Sequence, residues 1–391
     1  MKSRIAKWLL PFLLALAAAQ AVAADWQLAL PGWRYEFPRD HFTHPDFKTE
    51  WWYFTGHLAD DHGNRFGFEL TFFRQGLRSP STRQGETSRF LVNDLKFAHF
   101  AITDVAAGQF HFQQKLSRGA FDEAGFAPSP LSPTPMPSPS PFPVSARRFP
   151  VSKVAWIDDW LLEWTGDESF TLHAKGEGTA LDLHLSGVKP WVVHGENGVS
   201  QKADGAGHAS HYYSGTRLAS EGQLSIGKKT VRVSGESWLD REWATNQLAP
   251  GQAGWNWFSI QLDDRTELML YQMRRTDGSL DPNSSGTFIV RDGSAEHLRR
   301  EDYQLTAESF WKSPATQGRY PIAWRLSIPK LGIALQITTP LPNQELVVRP
   351  LVYWEGLIDV AGLRSGAKVR GQGYMELTGY AGSLLPLSNG D

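Results

Sequence analysis

Glu50–Leu58 (EWWYFTGHL) and Arg65–Arg74 (RFGFELTFFR) lie on either side of Ala59-Asp60-Asp61-His62-Gly63-Asn64. Two aromatic-rich runs around a short Asp/Gly/Asn segment predict an antiparallel hairpin. The period is two, because Phe68, Leu70 and Phe72 alternate with Glu69, Thr71 and Phe73. In the first run Glu50, Trp52 and Phe54 share one face and Trp51, Tyr53 and Thr55 the other. Similar short segments recur, from Lys96–Thr103 and Trp160–Thr165 through Ser210–Leu218, Gly222–Ile226 and Thr230–Asp240 to Tyr353–Val360 and Gly371–Gly379. Long helical periodicity is missing. The chain therefore reads as all-β, a sandwich or antiparallel barrel, with helix well below a fifth of residues.

The hairpin has an echo. Phe54–Leu58, Asp60-Asp61, Glu69-Leu70 and Arg74 find counterparts in Phe258–Leu262, Asp263-Asp264, Glu267-Leu268 and Arg274, and Phe258 stands 204 residues after Phe54. Gly235-x-Ser237-Trp238-Leu239-Asp240 matches Gly371-x-Gly373-Tyr374-Met375-Glu376 at an offset of 136. The offsets differ by 68, so two similar β-domains are expected, the first expanded. Pro128–Pro143 (PSPLSPTPMPSPSPFP) falls in that expansion. Proline cannot donate to a ladder, so this stretch is expected to be an exposed, extended loop. The link Leu248–Gly254 marks the boundary between domains over 25–247 and 254–391.

Composition removes several function classes. Among 391 residues there is no Cys, which excludes thiol catalysis, disulfides and Cys-ligated metal. A formal net charge of -2 leaves no basic excess for phosphate contacts, so no nucleic-acid partner is expected. Lys2, Arg4 and Lys7, the apolar run Trp8–Ala19 and the small residues Ala21-Val22-Ala23 read as a signal peptide over 1–23. Its removal takes the net charge to -5, and a soluble periplasmic protein is expected. Gly222-x-x-x-x-Gly227-Lys228 lacks the Ser/Thr and the helix of a phosphate loop. His208 and His211 point to opposite faces of a strand, so no metal site is expected.

The carboxylates carry more. In Ser237–Trp243 (SWLDREW) alternation puts Trp238, Asp240 and Glu242 on one face, and in the matching strand Tyr374 and Glu376 share one. A carboxyl buried among indoles without a cation has a raised pKa and serves as a general acid near neutral pH. An ion pair with Arg241 or Arg217, holding the two halves together, is the structural alternative.

EWWYFTGHL at 50–58, SHYYSGTRL at 210–218, SWLDREW at 237–243, GWNWFSIQLDD at 254–264, LMLYQMR at 268–274, YWEG at 353–356 and GYMELTGY at 373–380 together resemble the AttH/CrtC family, which includes carotenoid 1,2-hydratases. The resemblance is stronger to the AttH side. It implies two consecutive lipocalin-like (calycin) antiparallel β-barrel domains. It further implies a hydrophobic ligand, isoprenoid or lipid-like, and a hydratase/lyase chemistry needing no cofactor. The alternative is a non-catalytic periplasmic binding protein serving an ABC-type permease, with peripheral membrane contact. On the hydratase reading Asp240 and Glu242 are the expected catalytic pair. Glu50, Trp52, Tyr53, Trp238, Tyr374 and Glu376 are the expected substrate-binding residues.

Overall fold

The structure is a computed structural model that describes residues 26–83, 88, 91–130, 151–348 and 351–382. The expected signal peptide lies outside the described residues, as does the proline-rich stretch beyond Pro130. Strands account for 62% of the chain and helix for 5%.

The first half contributes β1 (Thr49–Asp60), β2 (Arg65–Gly76), β3 (Asp94–Asp104), β4 (Gln109–Ser117), β5 (Ala124–Phe126), β6 (Ser152–Ile157), β7 (Trp160–Gly166), β8 (Ser169–Gly176), β9 (Thr179–Gly187), β10 (Val192–Val193), β11 (Ser200–Gln201), β12 (Ala209–Ile226) and β13 (Lys229–Ala244). They form one antiparallel sheet in the order β4-β3-β2-β1-β13-β12-β9-β8-β7-β6-β5, with β10 and β11 paired to β12. The second half contributes β14 (Gln252–Leu262), β15 (Glu267–Arg275), β16 (Ser285–Ile289), β17 (Ala295–Arg299), β18 (Gln304–Lys312), β19 (Arg319–Ile328), β20 (Ile333–Thr338), β21 (Glu345–Val348), β22 (Leu351–Arg364) and β23 (Ala367–Thr378). Their order is β17-β16-β15-β14-β23-β22-β20-β19-β18, with β21 on β22. The first sheet curls into a nearly closed barrel and the second into a half-barrel, the two-domain lipocalin-like arrangement. Side chains help bridge the gap in the first: Gln113 on β4 donates to Glu177 O and Thr179 Oγ1, both at 3.0 Å.

Alternation builds both cores. Phe54, Phe68, Phe72, Leu162, Leu172 and Leu239 turn into the first barrel. Phe258, Ile260, Leu270, Met375 and Leu377 fill the second. Two sequence segments, Ser210–Leu218 and Gly222–Ile226, are one long strand, β12. The glycine that looked like a break is there because a Cβ at position 222 would meet Asp182 O at 1.9 Å. The short strands β5, β6, β10, β11, β17 and β21, and the largely exposed β18, carry too little alternation to be read from sequence.

The repeat holds in register. Phe54 pairs with Leu239, and Phe258 with Met375, so both offsets are reproduced by hydrogen-bonded neighbours. It fails at one point. Thr55 faces Glu69, whereas its counterpart Ser259 faces Met269, so Glu69 and Glu267 are not equivalent. The two acids do different work, described below.

The outward face of β1 and β13 packs against the second sheet. Here Tyr53, Trp238, Trp257, Met269, Leu357 and Tyr374 form a third apolar cluster. Polar ties cross the same boundary. His57 Nε2 meets Gly373 O at 2.7 Å, and Gln261 donates to Thr216 O and Ser237 O at 2.9 and 3.1 Å. Glu267 is held between Arg217, at 2.7 Å, and Lys189, at 2.6 Å. Losing one partner of such a buried ion network costs about 3–5 kcal/mol. The halves are therefore fixed to each other, and a space left between them has defined walls.

Candidate functional site

That space is a cavity of about 500 Å³ between the two sheets. Because the central strands of both halves present alternate side chains to it, acids and aromatics from each half meet there. Register explains the pairing. Tyr53 lies opposite Asp240 on β1 and β13, and Trp257 lies opposite Glu376 on β14 and β23. Asp240 and Glu376 thus occupy equivalent positions in the repeat and border the same cavity.

Asp240 is 3% exposed and has no cation partner among the described residues. It accepts from Tyr212 OH at 2.5 Å, from Trp238 Nε1 at 2.6 Å and from Ser214 Oγ. Ser214 is itself joined to His194 Nε2 at 2.6 Å. Burial raises the Asp240 pKa to about 7, against the lowering effect of those three donors. Glu376 accepts from Trp255 Nε1 at 2.8 Å, and burial, reinforced by the nearby Asp240 and Glu242, raises it too to about 7. Glu242 is different. It accepts from Ser210 Oγ and forms an ion pair with Lys202 at 3.3 Å. The ammonium of Lys202 sits 3.9 Å from the centre of the Tyr271 ring.

Two acids missed by sequence reasoning border the cavity as well. Burial raises Glu69 to about 8. Burial, with Glu69 and Glu376 adding repulsion, raises Glu355 well above the usual carboxyl range. Glu355 accepts from the Tyr53 hydroxyl, so β1 of the first half orients an acid of the second. In return Trp257 of the second half donates to Tyr212 OH at 3.0 Å, beside Asp240. The Tyr53 and Trp257 rings meet edge to face at 5.2 Å between centroids. The available signal was an acid on the inter-sheet face of an apolar strand with no basic residue beside it. Glu355 stood in the quoted YWEG segment but had no repeat partner to mark it.

The expected site residues divide. Asp240, Glu242, Tyr53, Glu376 and Glu50 border the cavity. Trp238 and Tyr374 pack behind it in the inter-sheet cluster, Trp238 supporting Asp240. Trp52 is a correction. Alternation turns it the opposite way from Tyr53, into the first barrel, where Nε1 donates to His41 O at 2.7 Å and the Arg241 guanidinium lies 3.8 Å from its ring centre. Glu50 is also reassigned, since its carboxylate is spent on Arg74 and Arg241, each at 2.5 Å. Burial would raise its pKa, but the two guanidinium groups overcome that and hold it well below the usual range. The ion pair foreseen for Arg241 and Arg217 exists, but with Glu50, Glu236 and Glu267 rather than with Asp240.

The sequence model of the family described as AttH-like matches residues 28–380. Among solved structures the chain is similar to a candidate AttH from Nitrosomonas europaea, with 33% identity, 90% of this chain and 99% of that chain covered, and a TM-score of 0.76. It shares its fold with kievitone hydratase from Nectria haematococca, at 13% identity, 91% and 97% coverage and a TM-score of 0.63. It also shares its fold with CghA, at 12% identity, 90% and 95% coverage and a TM-score of 0.52. No curated protein sequence matches it.

Proposed function

We propose that this chain, which belongs to the AttH-like family, binds a hydrophobic, isoprenoid- or lipid-like ligand between its two halves and adds water to an alkene of that ligand by proton transfer from side chains. The observation that carries the reading is Asp240. It is a buried acid with no ion-pair partner among the described residues, oriented by three donors and bordering an aromatic-walled cavity.

The chemistry follows from that environment. A carboxyl with a pKa of about 7 is substantially protonated at neutral pH, so it can give its proton to the less substituted alkene carbon. The π electrons form the new C–H bond and leave a cation on the other carbon. The rings of Tyr53 and Trp257 face that region, and each aromatic contact stabilises a desolvated cation by roughly 0.5–2 kcal/mol. Water adds to the cation, and its surplus proton returns to the Asp240 carboxylate through the adjoining Tyr212 hydroxyl. That kievitone hydratase has the same fold supports the reading by analogy. The basic, apolar and small-residue order of residues 1–23 supports a site of action in the periplasm.

The test is incorporation of oxygen-18 water into prenyl-chain alkenes, followed by mass spectrometry. Wild type should give labelled alcohol, and Asp240→Asn should not. Label at the wild-type rate in Asp240→Asn would overturn the assignment. Tight retention of the alkenes with no labelled product from either protein would instead make the chain a carrier, handing its ligand to a permease.

A further inference from the structure

One wall of the cavity, built from β2, β3 and β22, carries more polar atoms than the described residues satisfy. Glu69 Oε1 accepts from Thr71 Oγ1 at 2.8 Å, while Oε2 has no partner. Glu355 Oε1 accepts from Tyr53 OH, while Oε2 has none. His99 Nδ1 joins the Tyr353 hydroxyl, and Nε2 is again unmatched. These residues are neighbours by register. Thr71 lies opposite His99, and Tyr353 and Glu355 are two apart on one strand face. Glu69, His99 and Glu355 are each 1% exposed and border the cavity. Among the described residues neither carboxyl has an ion pair with a Lys or Arg. A buried carboxylate without a countercharge is too costly to persist, so both groups stay undissociated. Each uses Oε1 as an acceptor, which leaves the acidic proton on Oε2, where no described residue receives it.

We propose that Glu69 and Glu355 are a paired donor subsite for an acceptor oxygen of the ligand, so that the substrate is an unsaturated hydrophobic molecule carrying a carbonyl-type oxygen and not a plain hydrocarbon. This rests on the reading that the cavity is the ligand site, but not on turnover. The titratable groups around the pair are Tyr53, His99, Asp240, Tyr353, Tyr374 and Glu376. Burial pushes the three tyrosines well above their ordinary range and His99 down to about 3, so none of these supplies a positive charge. The same burial keeps Glu69 at about 8 and Glu355 higher than a free carboxyl. A hydrocarbon would leave two O–H donors unmatched inside an apolar enclosure. A carbonyl oxygen satisfies them, and donors left unpaired are what make such sites reject the deoxygenated analogue.

The experiment compares geranylacetone with the hydrocarbon of the same skeleton lacking the oxygen, titrated against the full chain by quenching of tryptophan fluorescence. At neutral pH the ketone should bind roughly tenfold more tightly to wild type. Glu69→Gln/Glu355→Gln keeps an N–H donor at each position and should keep the preference. Glu69→Leu/Glu355→Leu should abolish it. Raising the pH through about 8 should weaken the preference in wild type, because an ionised Glu69 accepts and no longer donates while Glu355 keeps its proton, but not in the Gln variant. Equal affinities in wild type, or an undiminished preference in the Leu variant, would overturn the proposal. If the Leu variant does not fold, the pH series on wild type and the Gln variant decides. Loss of hydration activity with the preference intact would remove the catalytic reading and leave the subsite standing.

Discussion

Replacing Asp240 by Asn distinguishes a protonated acid from a structural ion, and the two make opposite demands on stability. In the folded protein burial carries the Asp240 pKa from 3.8 to about 7. Because the folded-state value is the higher one, the acid's favourable protonated form is fully present below about pH 4. The associated stability is lost as pH rises through about 7, and ionisation in the folded state then costs up to about 4 kcal/mol. Asn cannot ionise and has no such dependence. Its amide does place a donor where a carboxyl oxygen accepted, so one of Tyr212, Ser214 and Trp238 loses its acceptor. That costs about 1–3 kcal/mol. Asp240→Asn should therefore be less stable than wild type near pH 4, by about that amount, and equal or more stable near pH 9. Denaturant midpoints of both proteins, measured in parallel across that range, read the crossing directly. A constant loss of more than about 3 kcal/mol at every pH would refute the reasoning, since it is the mark of a charged group torn from a partner.

The other expectations are simpler. Glu50→Gln strands Arg74 and Arg241 in a buried site and should cost about 3–5 kcal/mol at neutral pH, measured by the same denaturation. Gly67→Ala would set a methyl 2.4 Å from Leu357 Cδ2 and 2.7 Å from Tyr374 OH, across the boundary between the halves. Overpacking there should cost about 1–3 kcal/mol and loosen ligand binding, seen in the fluorescence titration. Hydration turnover should fall as pH rises through about 7, where Asp240 gives up the proton it must donate, and a rate that climbs across that range would contradict its role.

Much of the architecture was open to inspection because alternation is strict wherever a strand separates a barrel core from the inter-sheet boundary. Phe68, Leu70 and Phe72 against Glu69 and Thr71 already stated which side faced inward. The repeat located Asp240 and Glu376 as equivalents for the same reason, since each follows a core residue, Leu239 or Met375, and so turns to the opposite face. Trp52 was misplaced because its neighbours in the motif pulled it into the site, although parity put it on the barrel side. Glu69 was paired with Glu267 by a local identity, Glu-Leu, that the hairpin register does not respect. Glu355 escaped because its role depends on contact with Tyr53, a residue of the other half. No spacing along one chain expresses a hydrogen bond between residues that far apart.

The reciprocal reach of Tyr53 to Glu355 and of Trp257 to Tyr212 has a bearing on how such a chain can diverge. After a duplication, each copy would ordinarily be at liberty to drift on its own. Here each copy's central aromatic is the other copy's orienting group. Tyr53 and Glu355 should consequently vary as a unit among descendants, as should Trp257 and Tyr212, while changes within one barrel interior remain independent of the other. The two halves would share one evolutionary history at the cavity and keep separate ones everywhere else.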